Sequence, residues 1–312
     1  MTKISMTDSR LLSVKLGIAF SMLSACTYGL NPIFAKLGYS AGLSGVEILH
    51  ARFIFAVLLL GAVGPLLQEK FYSFSATLIK KSLFIGFLVL LPLNLLYVYA
   101  LKDIPASMMS LITYVYPLII LVINGVVFHK QISKSQITSI CLILLACVCI
   151  FSDAFRTHIT AVALCLGFLS TFMYAFYLLS LQQLATHESV YQLTFLTLLF
   201  PTLGLCCFHN PLSVLSFDAV QLSVTAGYGI ISTVLSTIFV SKAVQFLGAT
   251  QAGIFCSFEP VFTIGFASIL LGEQIPVFRW IGMIFLILGI VIPNRLELVN
   301  VFKATSLSIG EK

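Results

Sequence analysis

Glu259 is followed at once by Pro260 in the middle of an apolar segment that runs from Gly248 to Gly272. An acid at the centre of such a segment costs about 2.5–3.5 kcal/mol on insertion scales, so it must face other protein groups or water. A carboxylate held there can contact an ammonium group, relay a proton, or satisfy backbone groups beside the proline. Pro260 removes one N–H and disfavours helical geometry at Glu259, which frees the carbonyl of Cys256. Arg52 is the second charge inside an apolar stretch, preceded by Glu47 and His50. A guanidinium can grip an anionic group through two parallel hydrogen bonds, or it can hold the fold through an acid or helix-end carbonyls. Polar and aromatic residues recur in the same kind of stretch: Tyr28, Asn31, Asn94, Tyr97, Tyr114, Tyr116, Tyr174, Tyr177, Gln245 and Gln251. A few polar groups among aromatic rings suit the lining of a small-molecule site, although tyrosine is also an interface anchor.

The elements that must position these groups follow from composition. The 312 residues are 59% hydrophobic and 9% charged, against about 25% charged in soluble domains. Stretches at about 16–35, 46–67, 82–101, 105–127, 134–153, 158–180, 190–208, 219–241, 248–271 and 276–293 are each long enough to cross a bilayer as a helix. An all-α membrane protein with ten transmembrane helices is expected. Only short connections separate the spans, so a soluble domain has no room, and the alternation of a β-barrel is absent.

Lys and Arg accumulate on cytoplasmic loops. With the N-terminus inside, Lys3, Arg10, Lys15, Lys70, Lys80, Lys81, Lys130, Lys134, Lys242, Arg295, Lys303 and Lys312 fall on one side. Lys36, Lys102, Arg156 and Arg279 fall on the other. Both termini, residues 1–15 and 294–312, are therefore expected in the cytoplasm. The net charge of +6 follows from this topology and forms no dense basic patch for nucleic acid. The eight cysteines lie in apolar spans, where they pack as small hydrophobes; Cys147 and Cys149 point to different helix faces, a poor metal pair. Leu23-Ser-Ala-Cys26 resembles a lipoprotein signal, but the apolar run continues to Ala35, longer than a signal core.

An internal repeat organises the chain. At a shift of 143 residues, Gly86 falls on Gly229, Pro117 on Pro260, Gln131-Ile132 on Gln274-Ile275, and Leu145 on Leu288. Residues 16–153 and 158–293 then form two five-helix halves. Five is odd, so the second half enters the membrane from the opposite side. Inverted halves of this kind belong to alternating-access carriers, with a site near the midplane and helix breaks such as Pro117 and Pro260 beside it.

Several passages carry a family resemblance. Tyr28-Gly29-Leu30-Asn31-Pro32 with Lys36, Ala51-Arg52-Phe53-Ile54-Phe55-Ala56, Tyr97-Val98-Tyr99-Ala100-Leu101 through Pro105-Ala106-Ser107, Glu259-Pro260-Val261-Phe262, and Leu271-Gly272-Glu273 with Gly282 stand in order along the chain. In these the sequence resembles the EamA-type ten-helix carriers of the drug/metabolite transporter superfamily. His129-Lys130 stands where the second half has Gly272-Glu273, Tyr28 replaces a frequent Trp, and Lys242 replaces an aromatic residue. The resemblance implies four helices of each half around a central cavity, with the fifth and tenth outside as a surface for homodimers. It further implies a bacterial inner membrane, carriage of small metabolites (often export of amino acids or related compounds), proton coupling in some carriers, and no cofactor or metal. The expected site residues are Glu259, Arg52, Tyr28, Asn31, Asn94, Tyr97, Tyr116, Tyr174 and Tyr177, with breaks at Pro117 and Pro260. The competing readings are a receptor or scaffold without transport, and an intramembrane enzyme. An enzyme would need a metal site, nucleophile or acid pair that no HExxH or paired-acid motif supplies.

Overall fold

The computed structural model describes residues 6–126, 134–156, 159–184, 189–247 and 249–292. The expected terminal segment 294–312, part of segment 1–15, and the His129-Lys130 pair lie outside the described residues. Among the described residues six helices are long and apolar enough to cross a membrane: Ser13–Ser40, Gly45–Leu67, Ala76–Asp103, Ala161–Ser180, Ala219–Leu247 and Gln251–Leu271. Four shorter apolar helices are Ala106–Ile120, Ile137–Cys149, Tyr191–Cys206 and Val277–Val291. Among the described residues each of the ten expected stretches carries helix. The reason is the solvent: hydrocarbon offers the backbone no hydrogen bonds, so a spanning segment must satisfy its own.

Local sequence sets where helices start and bend. Helix α1 (Met6–Gly29) gives way at Leu30 to α2 (Asn31–Ser40), with Pro32 in its first turn. Ser44 and Glu47 cap α3 (Gly45–Leu67) reciprocally, satisfying two orphan N–H groups. Helix α4 (Ala76–Leu83) widens into a π-helical segment, Phe84–Leu90, before α5 (Leu91–Asp103). Helices α6 (Ala106–Thr113) and α7 (Tyr116–Val126) are two parts of one broken helix, followed by α8 (Lys134–Arg156).

The second half repeats the plan with α9 (Ala161–Leu184), α10 (Val190–Cys206) and α11 (Ala219–Gly227). A second π-helical segment, Tyr228–Leu235, leads into α12 (Ser236–Leu247). Helices α13 (Ala249–Cys256) and α14 (Glu259–Leu271) form a second broken helix, and α15 (Val277–Val291) is the last described. The two π segments stand at corresponding places of the repeat, as do the two breaks.

Packing between the halves is reciprocal. Helix α1 packs against α12, α13 and α14, while α9 packs against α5, α6 and α7. Helices α3 and α10 pack together; α3 also meets the Tyr228–Leu235 segment, and α10 meets Phe84–Leu90. Helix α15 packs on α8. The paired glycines make the two crossed contacts close. A Cβ on Gly86 would meet the Thr197 carbonyl at 2.9 Å, and one on Gly229 would meet the Arg52 carbonyl at 2.6 Å. Backbone cannot yield as a flexible side-chain end can. Gly229→Ala is expected to cost about 1–3 kcal/mol, the range for overpacking. Gly253→Ala, where the added carbon meets nothing within 4 Å, is expected to leave stability unchanged. Thermal denaturation of both variants in detergent, followed by circular dichroism, checks the contrast.

Candidate functional site

The two helix breaks match residue for residue. Helix α6 ends at Thr113 and α7 restarts at Tyr116-Pro117; α13 ends at Cys256 and α14 restarts at Glu259-Pro260. Tyr116 and Glu259 thus open their half-helices. The proline-freed carbonyl of Cys256 finds a partner across the repeat, since the Tyr114 hydroxyl lies 3.1 Å from it. The same hydroxyl lies 2.9 Å from Oε2 of Glu259. One hydroxyl hydrogen cannot serve both acceptors equally. An ionised Glu259 draws it to the carboxylate; a protonated Glu259 can donate to the Tyr114 oxygen and leave that hydrogen to Cys256. The arrangement can therefore pass the charge state of Glu259 to the backbone at the break.

Around this carboxylate the tyrosines from several helices converge. Tyr114 and Tyr116 have ring centroids 5.8 Å apart, Tyr116 and Tyr174 5.2 Å at an edge-on angle of 88°, and Tyr174 and Tyr177 6.3 Å. Tyr174 and Tyr177 stand three apart on α9 and so share a face. Tyr28, near the end of α1, and Tyr97 on α5 lie within electrostatic range of Glu259, as do Tyr116 and Tyr174. Tyr28 is anchored by Thr237, its hydroxyl 3.4 Å from Oγ1. Glu259, Tyr28, Tyr97, Tyr116, Tyr174 and Tyr177 are each partly buried and keep some accessible surface.

Arg52 forms the neighbouring group. It is 7% exposed, and its hydrogen-bond acceptors are neutral. Nε donates to Thr233 at 2.9 Å, and Nη1 donates to Asn94 at 3.2 Å and to the Tyr228 hydroxyl at 3.0 Å. The guanidinium also lies 4.3 Å from the centroid of the Tyr228 ring. Asn94 donates in turn to the Leu90 carbonyl at 2.8 Å, Thr233 to the Tyr228 carbonyl at 3.2 Å, and the Tyr228 hydroxyl to Asn31. Arg52 thus ties together the two π-helical segments and the start of α2. Tyr97 lies within electrostatic range of both Arg52 and Glu259, which joins the two groups.

All nine expected site residues fall in these two adjoining groups. Gln245 does not: it is exposed and accepts a hydrogen bond from Lys242. Sequence reasoning missed Tyr228 and Thr233, the partners of Arg52. The available signal was two polar residues five apart, Tyr228 and Thr233, inside an apolar span.

Comparison with known proteins gives the family. The chain matches the EamA-like transporter family over residues 15–152 and again over 161–295. The chain belongs to the EamA-like transporter family. A solved crystal structure shares its fold, with a TM-score of 0.63 and 12% identity, covering 90% of this chain and 97% of that one. No curated protein sequence matches it significantly. The chain is thus a multi-pass membrane protein of the drug/metabolite transporter type.

In this EamA-like chain the motif residues have physical reasons. Gly29 lets α1 approach α14: an added Cβ would lie 3.0 Å from Phe262 and 3.1 Å from the Thr263 nitrogen, and Thr263 donates to the Gly29 carbonyl at 3.0 Å. Gly272 closes α14 in the left-handed region, at φ 65°, which favours glycine. Glu273 then turns onto the N-terminus of α6. Its Oε1 accepts from Ala106 N at 2.6 Å, and its Oε2 accepts from Ser107 N at 3.2 Å and Ser107 Oγ at 2.5 Å. Arg279 lies 3.6 Å from the same carboxylate and donates to Ser107 at 2.7 Å. An acid on a helix N-terminus meets unpaired N–H groups and the positive end of the dipole. This clamp links the second repeat to the first.

The Arg52 group yields a direct test. Asn94→Ala removes an acceptor of the guanidinium and the donor to Leu90, leaving buried groups unsatisfied. It is expected to lower stability by about 1–3 kcal/mol in thermal denaturation, while Asn94→Asp, which keeps the acceptor, should lose less.

Proposed function

We propose that this protein is a secondary active carrier that moves a small polar or amphipathic metabolite across the membrane by alternating access. Amino acids and related compounds are the substrate class the family resemblance suggests, in the direction of export. The observation that carries the reading is the pair of matched breaks, which set Tyr116 of one repeat and Glu259 of the other on either side of Tyr114. A site built at the junction of two similar halves is what an alternating-access mechanism needs: when the halves exchange conformations, the same site opens to the other side.

In this reading the four shorter helices also cross the membrane, giving ten spans as two inverted five-helix repeats around a central cavity. Both termini lie in the cytoplasm, in a bacterial inner membrane. The packing supports one conformation of the cycle. On one side of the breaks α6 meets α14, reinforced by the Glu273 clamp; on the other α7 packs on α9 and α13 on α1 and α12. With cytoplasmic termini, the clamped side faces outward and the carrier is closed to the exterior. Helices α8 and α15, paired at the flank, present Leu144, Leu145, Val148, Ile284 and Leu288 outward, a surface suited to lipid or to a homodimer.

Glu259 is the coupling residue in this proposal, and Tyr114 is the positioning residue that reads its charge. Purified protein in liposomes is expected to move a metabolite saturably and with a pH-dependent rate. Glu259→Gln should fold normally but lose that pH dependence or most of the flux. Tyr114→Phe keeps the carboxylate and should shift the pH profile while flux persists. A Glu259→Gln protein transporting like the parent at every pH rules out the coupling role.

A further inference from the structure

Helices α3 and α10 hold the same place in the two repeats and pack antiparallel. Each end of the pair therefore joins the first turns of one helix to the turn that follows the other. At one end Nε2 of Gln192 lies within hydrogen-bond reach of three carbonyls, Lys70 at 3.2 Å, Phe71 at 2.8 Å and Ser73 at 3.2 Å. Ser189 bonds Gln68 beside it. At the other end His50 meets the close of α10. Its Nδ1 lies 3.3 Å from Nδ1 of His209, and its Nε2 lies 3.4 Å from Sγ of Cys206. The repeat shift of 143 residues sets His50 on Leu193, the neighbour of Gln192. Two corresponding fastenings thus carry different chemistry, an amide at one end and two imidazoles at the other. The amide keeps its charge at every ordinary pH, whereas histidine changes its own near a pH of about 6.5.

The imidazole contact depends on the number of protons it holds. His50 is fully buried, so its ring nitrogens must find their partners in protein. With both rings neutral, one Nδ1 carries the hydrogen of the contact and the other accepts it. If His50 is the donor, its Nε2 is left to accept from the Cys206 thiol. One added proton preserves the contact, because the charged ring donates and the neutral ring accepts. A second proton sets two N–H groups face to face on two like charges, with no acceptor between them. Glu47, one turn before His50, lies within electrostatic range of His209 and favours charge on it. Arg52, two residues beyond His50, is bonded to Thr233, Asn94 and Tyr228. On the elements packed against α3, Lys36 donates to the Lys102 carbonyl and lies within electrostatic range of Asp103, and Asp218 caps α11.

We propose that His50 and His209 form an acid-released latch, which fastens one end of the α3–α10 pair until both rings are protonated and then lets that end part. On the carrier reading, on which this functional meaning rests, the latched end faces the exterior. External acid then loosens the outer side, while the Gln192 fastening on the inner side holds. Protonated histidine clusters drive interfaces apart in other pH-sensing proteins by the same repulsion.

Amide hydrogen exchange on the purified full chain tests the latch without transport, with rates corrected for the intrinsic effect of pH. Between about pH 8 and about pH 5, either side of the ordinary histidine value, exchange over residues 205–210 should rise about tenfold or more. Exchange over residues 70–73 and 190–194, around Gln192, should stay level. His209→Gln keeps a hydrogen-bonding partner for His50 but cannot take a charge, so the rise should vanish. His50→Gln should abolish it likewise; should that buried variant fail to fold, the partly exposed His209 position still decides. A rise that persists in His209→Gln, or that is equal at both ends, overturns the latch. No rise in the parent protein overturns it also, and leaves the carrier reading standing if proteoliposomes of the same protein move a metabolite. A parent protein that shows the step, loses it in His209→Gln and moves no metabolite keeps the latch and removes the carrier reading.

Discussion

Arg52 is the fixed point of this bundle. A guanidinium placed inside an apolar span costs about 2.5–3.5 kcal/mol on insertion scales, so it persists only where protein groups replace water. Here three charge-assisted hydrogen bonds, worth roughly 1.5–3 kcal/mol each, and a tyrosine ring do so. The partners are themselves part of the backbone's accounting. A π-helical turn shifts the hydrogen-bond ladder by one residue, and in hydrocarbon any group left over must be served locally. Asn94 serves the Leu90 carbonyl and Thr233 the Tyr228 carbonyl; Arg52 holds both side chains in position. One residue of α3 thereby fixes the irregular turns of both repeats.

The two intramembrane charges stand in different surroundings. Arg52 is well buried, and among the described residues its Nε and Nη1 donate to three neutral acceptors. Glu259 has one hydroxyl partner, retains accessible surface and stands at a helix break. Among the described residues a carboxylate that can accept about four hydrogen bonds is supplied with one, and a guanidinium with about five N–H donors uses three.

The repeat supplies symmetry and the differences within it supply direction. Gly86 and Gly229 make equivalent close contacts, and the breaks at Pro117 and Pro260 coincide. Yet Tyr116 stands where the other half has Glu259, and only the second half carries the Gly272-Glu273 clamp in its sequence. The acid that caps α6 ties the two repeats together at that end and has no counterpart in the first half's sequence.

Much of this was legible in the chain itself. Unbroken apolar stretches dictate helices because lipid leaves the backbone no other choice, and two prolines at one repeat position dictate breaks because proline lacks the N–H a helix needs. The misplaced acid and arginine announce themselves by their cost. What the sequence could not contain was their partners. Tyr228 and Thr233 lie 176 and 181 residues from Arg52, and Tyr114 lies 145 from Glu259. Which groups those two charges meet was decided only when the halves packed. Hydropathy and periodicity are local properties of a helix, whereas whether a charge finds a hydrogen bond depends on which other helix arrives beside it.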